Sequence, residues 1–226
     1  MGGRILALNP SPTEVTTAAT GGLLGGAVLA GLWWLRRATP ASPRRGIWTA
    51  AFTAFAAAAF LGLVVHGLAL DPGAVDLLWQ PLYFLLGVAL ALFTVGAVAD
   101  QSGWMAARRW LPFSLLLAVL FYLTTRLMHG EYLVFVLFEG AALLWALGTY
   151  LLLARAGRPG SGWVALGLLL SIVAGVLQAS TLQVRLVWPF DHNGLYHVAQ
   201  LVGVVALQRG LRDLLRQPQP LERTAS

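Results

Sequence analysis

Cysteine and lysine are both absent from the 226 residues, and only 11% of the chain is charged. Without cysteine there are no disulfides, no thiolate metal ligands and no thiol nucleophile. So little charge excludes an ordinary soluble domain of this length. A Gly-rich phosphate loop, an HExxH pair and a GxSxG elbow are missing too, which removes the soluble-enzyme chemistries those motifs carry. The opening MGGRILALNPSPTEV has no basic region followed by an apolar stretch and a small-residue cleavage site, so it is expected to stay in the mature chain.

What remains is apolar: 58% of the residues are hydrophobic. They fall into repeated runs of about 20 residues, each sufficient to cross a hydrocarbon core about 30 Å thick. The runs lie near residues 15–35, 47–70, 77–99, 110–128, 132–153, 163–180 and 193–207. The expected fold class is therefore all-α, a seven-transmembrane-helix bundle. It divides into a tail of residues 1–14, the bundle at 15–208 and a basic tail at 209–226, whose QPQPLERTAS end is expected to be disordered. In the first span Gly21, Gly22, Gly25 and Gly26 form small-xxx-small pairs that let a neighbouring helix approach closely.

The net charge of +6 comes from fifteen arginines. Twelve of them sit in the loops after spans one, three and five and in the C-terminal tail; Arg4, Arg126 and Arg185 lie on the other side. The positive-inside rule then puts the N-terminus outside and the C-terminus in the cytoplasm of a multi-pass protein of the cell (inner or plasma) membrane. Because the arginines are scattered through short loops, the expected partners are membrane lipids and not nucleic acid.

Polar residues are unevenly placed in this frame. The stretch 188–209, WPFDHNGLYHVAQLVGVVALQR, crowds Asp191, His192, Asn193, His197 and Gln200 into the start of span seven. Intramembrane polar groups are costly and usually face the bundle interior. His66 and His129 end outward-going helices, so all four histidines fall in the outer third, with Glu14, Asp71, Asp76, Glu131 and Asp191. Imidazole and carboxylate groups are the usual ligands of zinc, which lowers the pKa of bound water to about 7. At about 100° per residue, Asn193 shares the face of His197, while His192 does not unless it precedes the helix. Pro189 allows that, with Asp191 or Asn193 as N-cap. Gln200 lies near the His197 face and is expected to orient a ligand.

The order of these parts resembles the seven-helix hydrolase superfamily of alkaline ceramidases and progestin and adiponectin receptors. That superfamily carries a histidine late in helix two, an aspartate soon after and an HxxxH pair opening helix seven. His66 matches the first, Asp76 the aspartate, and NGLYH, with His197, the last. Asn193 stands where the first histidine of the pair belongs, and Gly62 where helix two carries a serine. DHNGLYHVAQ, with PTEVTTAAT, also resembles HNxxYHxxQ-type sequences of uncharacterised bacterial membrane proteins.

The resemblance implies a zinc-dependent hydrolase of a lipid amide or ester, its site near the outer face. Metal would sit on His66, His192 and His197, with Asp76 positioning water or acting as general base. Glu139 and Arg126 would touch the substrate head group or support the site, and Asn193, Gln200 and Asp191 would surround the ligands. The alternative is a non-catalytic membrane protein whose polar cluster binds lipid or a partner, or only specifies packing. In that reading His197 and Gln200 hold helices together, Asp76 caps span three, Asp71 belongs to a DPG turn, and His129 is solvated. Arg126 is expected to pair with Glu139 across a hairpin, or with the nearer Glu131. Transport is disfavoured, since polar groups are almost absent from the cytoplasmic halves of the spans.

Overall fold

The computed structural model describes residues 7–128 and 132–217. These form seven α-helices: α1 (Pro12–Ala38), α2 (Pro43–Gly67), α3 (Pro72–Ser102), α4 (Trp104–Leu127), α5 (Tyr132–Arg155), α6 (Ser161–Gln178) and α7 (His192–Leu215). A small antiparallel ribbon, β1 (Val184–Arg185) and β2 (Pro189–Phe190), pairs Val184 with Phe190 between α6 and α7. Among the described residues, six helices, α1 to α6, are long and apolar enough to cross a membrane. The protein is thus a multi-pass helical membrane protein. His129, Gly130, Glu131, Arg4 and the end of the C-terminal tail lie outside the described residues.

Proline and small polar residues set the helix starts. Pro12, Pro43 and Pro72 each open a helix, where their fixed φ suits the first turn and the missing N–H costs nothing. Ser42 accepts from Arg45 N at 3.1 Å and Asp71 from Ala74 N at 3.1 Å, so Asp71, not Asp76, is the N-cap of α3. Gly103 (φ 86°) separates α3 from α4, and Gly160 (φ 84°) opens α6, both in a region that favours glycine.

The packing order follows the chain with one exception. α1 packs on α2, α2 on α3, α5 on α6, α6 on α7, and α7 back on α1. The ring closes through α3 against α5, leaving α4 outside, packed on α3 and meeting α5 only narrowly. The outward face of α4 accordingly shows Leu115, Leu116, Leu120 and Leu123. α6 and α7 approach closely: a Cβ at Gly167 would stand 2.7 Å from the carbonyl of Gly203. Helices approach this closely where neither side chain intervenes.

α7 continues unbroken through Leu215, with Leu211, Leu214 and Leu215 buried. Residues 209–215, expected at the start of the tail, therefore belong to the bundle. Arg44 and Asp100, expected in loops, are 4% and 2% exposed and pair with each other inside it. Asp100 also accepts from the Tyr150 hydroxyl at 2.6 Å, and Arg44 donates to Leu214 O at 3.2 Å. One cluster thus ties α2, α3, α5 and α7 together at the arginine-rich end. A buried ion pair of this kind needs its remaining polar atoms satisfied, and the phenol and carbonyl do part of that.

Candidate functional site

The site lies at the opposite end of the bundle, where α1 and α7 begin. Asp191 caps α7, accepting from Gly194 N at 2.8 Å. Its same oxygen accepts from the Thr17 hydroxyl of α1 at 2.7 Å, and the side chains are buried. This fixes the first turn of α7 against α1. One turn on, His197 Nδ1 lies 3.1 Å from Thr17 O and 3.2 Å from Thr20 Oγ1. A carbonyl can only accept, so Nδ1 carries the proton and Nε2 is the lone-pair atom of the neutral ring. Gly21 makes room: a Cβ there would sit 3.2 Å from the ring.

His66, at the end of α2, is held in the same manner. Its Nδ1 lies 2.6 Å from Glu14 Oε2 on α1. The carboxylate accepts, so Nε2 is again left as acceptor when the ring is neutral. The ring also lies perpendicular to Trp79 at 5.8 Å, and Trp79 stacks on Tyr83 at 5.5 Å. His192 is the first residue of α7, directly after its cap. Asn193 accepts from Gln178 Nε2 of α6 at 3.3 Å, which leaves Gln178 Oε1 buried without a partner.

These groups surround one cavity of about 260 Å³. His66, His192, His197, Asn193 and Gln178 line it together with Trp79, Tyr83 and Tyr196. Its remaining walls are apolar, from Leu24, Phe55, Ala58, Leu82, Leu86 and Phe135 among others. Three histidines separated by up to 131 positions therefore share one chamber, as their common depth in the sequence suggested. Chemically the lining offers acceptors, the two Nε2 atoms and Gln178 Oε1, with the Asn193 amide as donor.

The other expected site residues fall elsewhere. Asp76 is exposed on the first turns of α3 and lines no part of this cavity. Asp191 is taken up by capping. Arg126 is exposed, and it makes no ion pair with Glu139; the described ion pairs are Arg44–Asp100, His66–Glu14 and Arg212–Asp213. Glu139 instead lines a second, deeper chamber with Gln200, because three residues of α7 carry Gln200 below His197. Among the described residues no three His, Cys, Asp or Glu side chains are grouped to hold a metal ion. His66, His192 and His197 line one space without forming such a set.

The sequence reading missed the α1 contribution. Glu14, Thr17 and Gly21 recur at three and four residues, one stripe of a helix, and that stripe receives His66, Asp191 and His197. The polar spacing within PTEVTTAAT was the available signal. Gln178 had no such signal, being one amide at the end of an apolar run.

Fold and site together define a multi-pass helical membrane protein with a histidine-lined cavity at one end of its bundle. The chain belongs to a family of unknown function, DUF6962, which matches residues 16–216. No curated protein and no solved structure matches it. The resemblance to the seven-helix hydrolases therefore stands on the quoted residues alone.

Proposed function

We propose that this is a seven-span protein of the cell membrane, N-terminus outside, that holds the polar end of a membrane amphiphile in the histidine-lined cavity. The observation that carries the reading is the lining itself: acceptor atoms of His66, His197 and Gln178 at one end of a chamber whose other walls are apolar. Those three acceptors call for a ligand bearing O–H or N–H groups, such as the hydroxyl or amide head of a neutral lipid. The apolar walls suit the carbon chain that follows. Supporting the orientation, Arg37 stacks on Trp33, Arg209 on Trp163 and Arg212 on Trp34 at the end away from the cavity, an aromatic and cationic rim suited to a cytoplasmic interface.

The test is lipid retention. Protein purified in a mild detergent is analysed by mass spectrometry for co-purifying hydroxyl- or amide-bearing lipids, beside His197→Ala and His66→Ala. Losing one hydrogen bond to a buried acceptor set is expected to deplete the retained lipid about tenfold. Equal retention by all three proteins contradicts the reading.

One observation favours a second reading, the zinc-dependent hydrolase of a lipid amide or ester. Metal-binding histidines present one nitrogen and tie the other to a carboxylate or backbone carbonyl, as His66 does with Glu14 and His197 with Thr17. Against it, the described residues do not supply a three-ligand set. Zinc analysis of mildly purified protein separates the readings: about one equivalent favours the hydrolase, and below about a tenth of an equivalent rejects it.

A further inference from the structure

Beneath the histidine cavity lies a second chamber of about 60 Å³ that the proposed head-group site does not use. Glu139 of α5, Ser171 of α6 and Gln200 of α7 line it, together with Phe52, Phe55 and Phe93. Each of the three brings an acceptor oxygen to it. Ser171 gives its proton to Gly167 O at 3.0 Å, leaving only oxygen lone pairs. Gln200 is 7% exposed, and its Oε1 is buried with no hydrogen-bond partner. Glu139 takes part in none of the ion pairs among the described residues.

A carboxylate, an amide oxygen and a hydroxyl oxygen gathered from three helices form a costly arrangement inside a bilayer unless something answers them. We propose that the chamber binds a primary ammonium group. Its three N–H donors match the three acceptors in number, and its charge answers the carboxylate. The phenylalanines of the lining accept the carbons attached to the ammonium. Calcium or magnesium would need six or more oxygens, and the chamber provides these three. Phe55, Leu86 and Phe135 line both this chamber and the histidine cavity, so a single layer of side chains separates them. An amine entering from the cavity has that layer to pass.

The full-length protein in detergent micelles is titrated with n-butylammonium, n-butanol and NaCl, each followed by thermal unfolding. Butylammonium is expected to raise the melting temperature saturably, with the other two leaving it unchanged. Glu139→Gln keeps the shape and loses the charge, and it is expected to weaken the ammonium effect at least about tenfold. Should that variant fail to fold, Ser171→Ala retains the carboxylate and is expected to weaken it about threefold. An equal response to butanol, to NaCl, or by the variants overturns the proposal. So does the absence of any saturable ammonium effect.

Discussion

Two aspartates cap helices in this protein with the same local geometry, and comparing them isolates the contact that seats α7 on α1. Asp71 accepts from Ala74 N at 3.1 Å and is exposed; Asp191 accepts from Gly194 N at 2.8 Å and is 7% exposed. Only Asp191 also takes a hydroxyl from another helix, Thr17 at 2.7 Å. Asp71→Ala therefore removes a cap alone, about 1 kcal/mol. Asp191→Ala removes a cap and a charge-assisted interhelical bond, about 2–3 kcal/mol together, the second part taken as about 1–2 kcal/mol at a membrane interface. Thr17→Val should lose the interhelical part only, and adding it to Asp191→Ala should lose little more than Asp191→Ala does alone. The assay is reversible unfolding in mixed micelles as the denaturing detergent fraction rises, read by tryptophan fluorescence. Equal losses from Asp71→Ala and Asp191→Ala, or strictly additive losses from Thr17→Val and Asp191→Ala, would refute the claim that this bond positions the site.

Other expectations follow from packing and buried charge. Gly167→Ala places a Cβ about 0.7 Å inside ordinary contact distance of Gly203 O, so α6 and α7 must part; overpacking of that kind costs about 1–3 kcal/mol. Gly140→Ala meets no neighbouring atom within 4 Å and should gain up to about 1 kcal/mol, so the same unfolding assay should move the two variants in opposite directions. At the other end, Asp100→Ala leaves the Arg44 guanidinium buried with Leu214 O as its remaining partner and should cost about 3–5 kcal/mol. Tyr150→Phe removes one bond to the same carboxylate, about 1.5–3 kcal/mol, so thermal unfolding should rank it the milder change. A reversed order contradicts the view that Asp100 chiefly compensates Arg44.

How much of this was readable without coordinates depended on whether the signal was local. Apolar runs are local, and they located the ends of α1 to α6 to within about six residues; Pro43 and Pro72, read as loop residues, in fact open α2 and α3. α7 was read short because Arg209 and Arg212 look like the start of a basic tail; in the fold they lie over Trp163 and Trp34 while the leucines between and after them turn inward. The common chamber of His66, His192 and His197 was legible because helix direction alone assigns depth. Azimuth was not. Gln200 shares a face with His197 yet belongs to the lower chamber, and Asp76 faces away from the cavity that its place in the sequence suggested. Arg44 and Asp100 read as loop charges because their partnership spans 56 positions and needs the packing of three helices to appear.

The absence of native cysteine allows the central proposal, a histidine-lined cavity opening on the outer side, to be measured directly. In intact cells, single-cysteine variants Asn193→Cys, on the cavity wall, and Leu116→Cys, on the outward face of α4, are exposed to a membrane-impermeant maleimide. The account predicts rapid labelling at position 193 and none at position 116. Labelling at 193 only after the cells are permeabilised, or not at all, would contradict it.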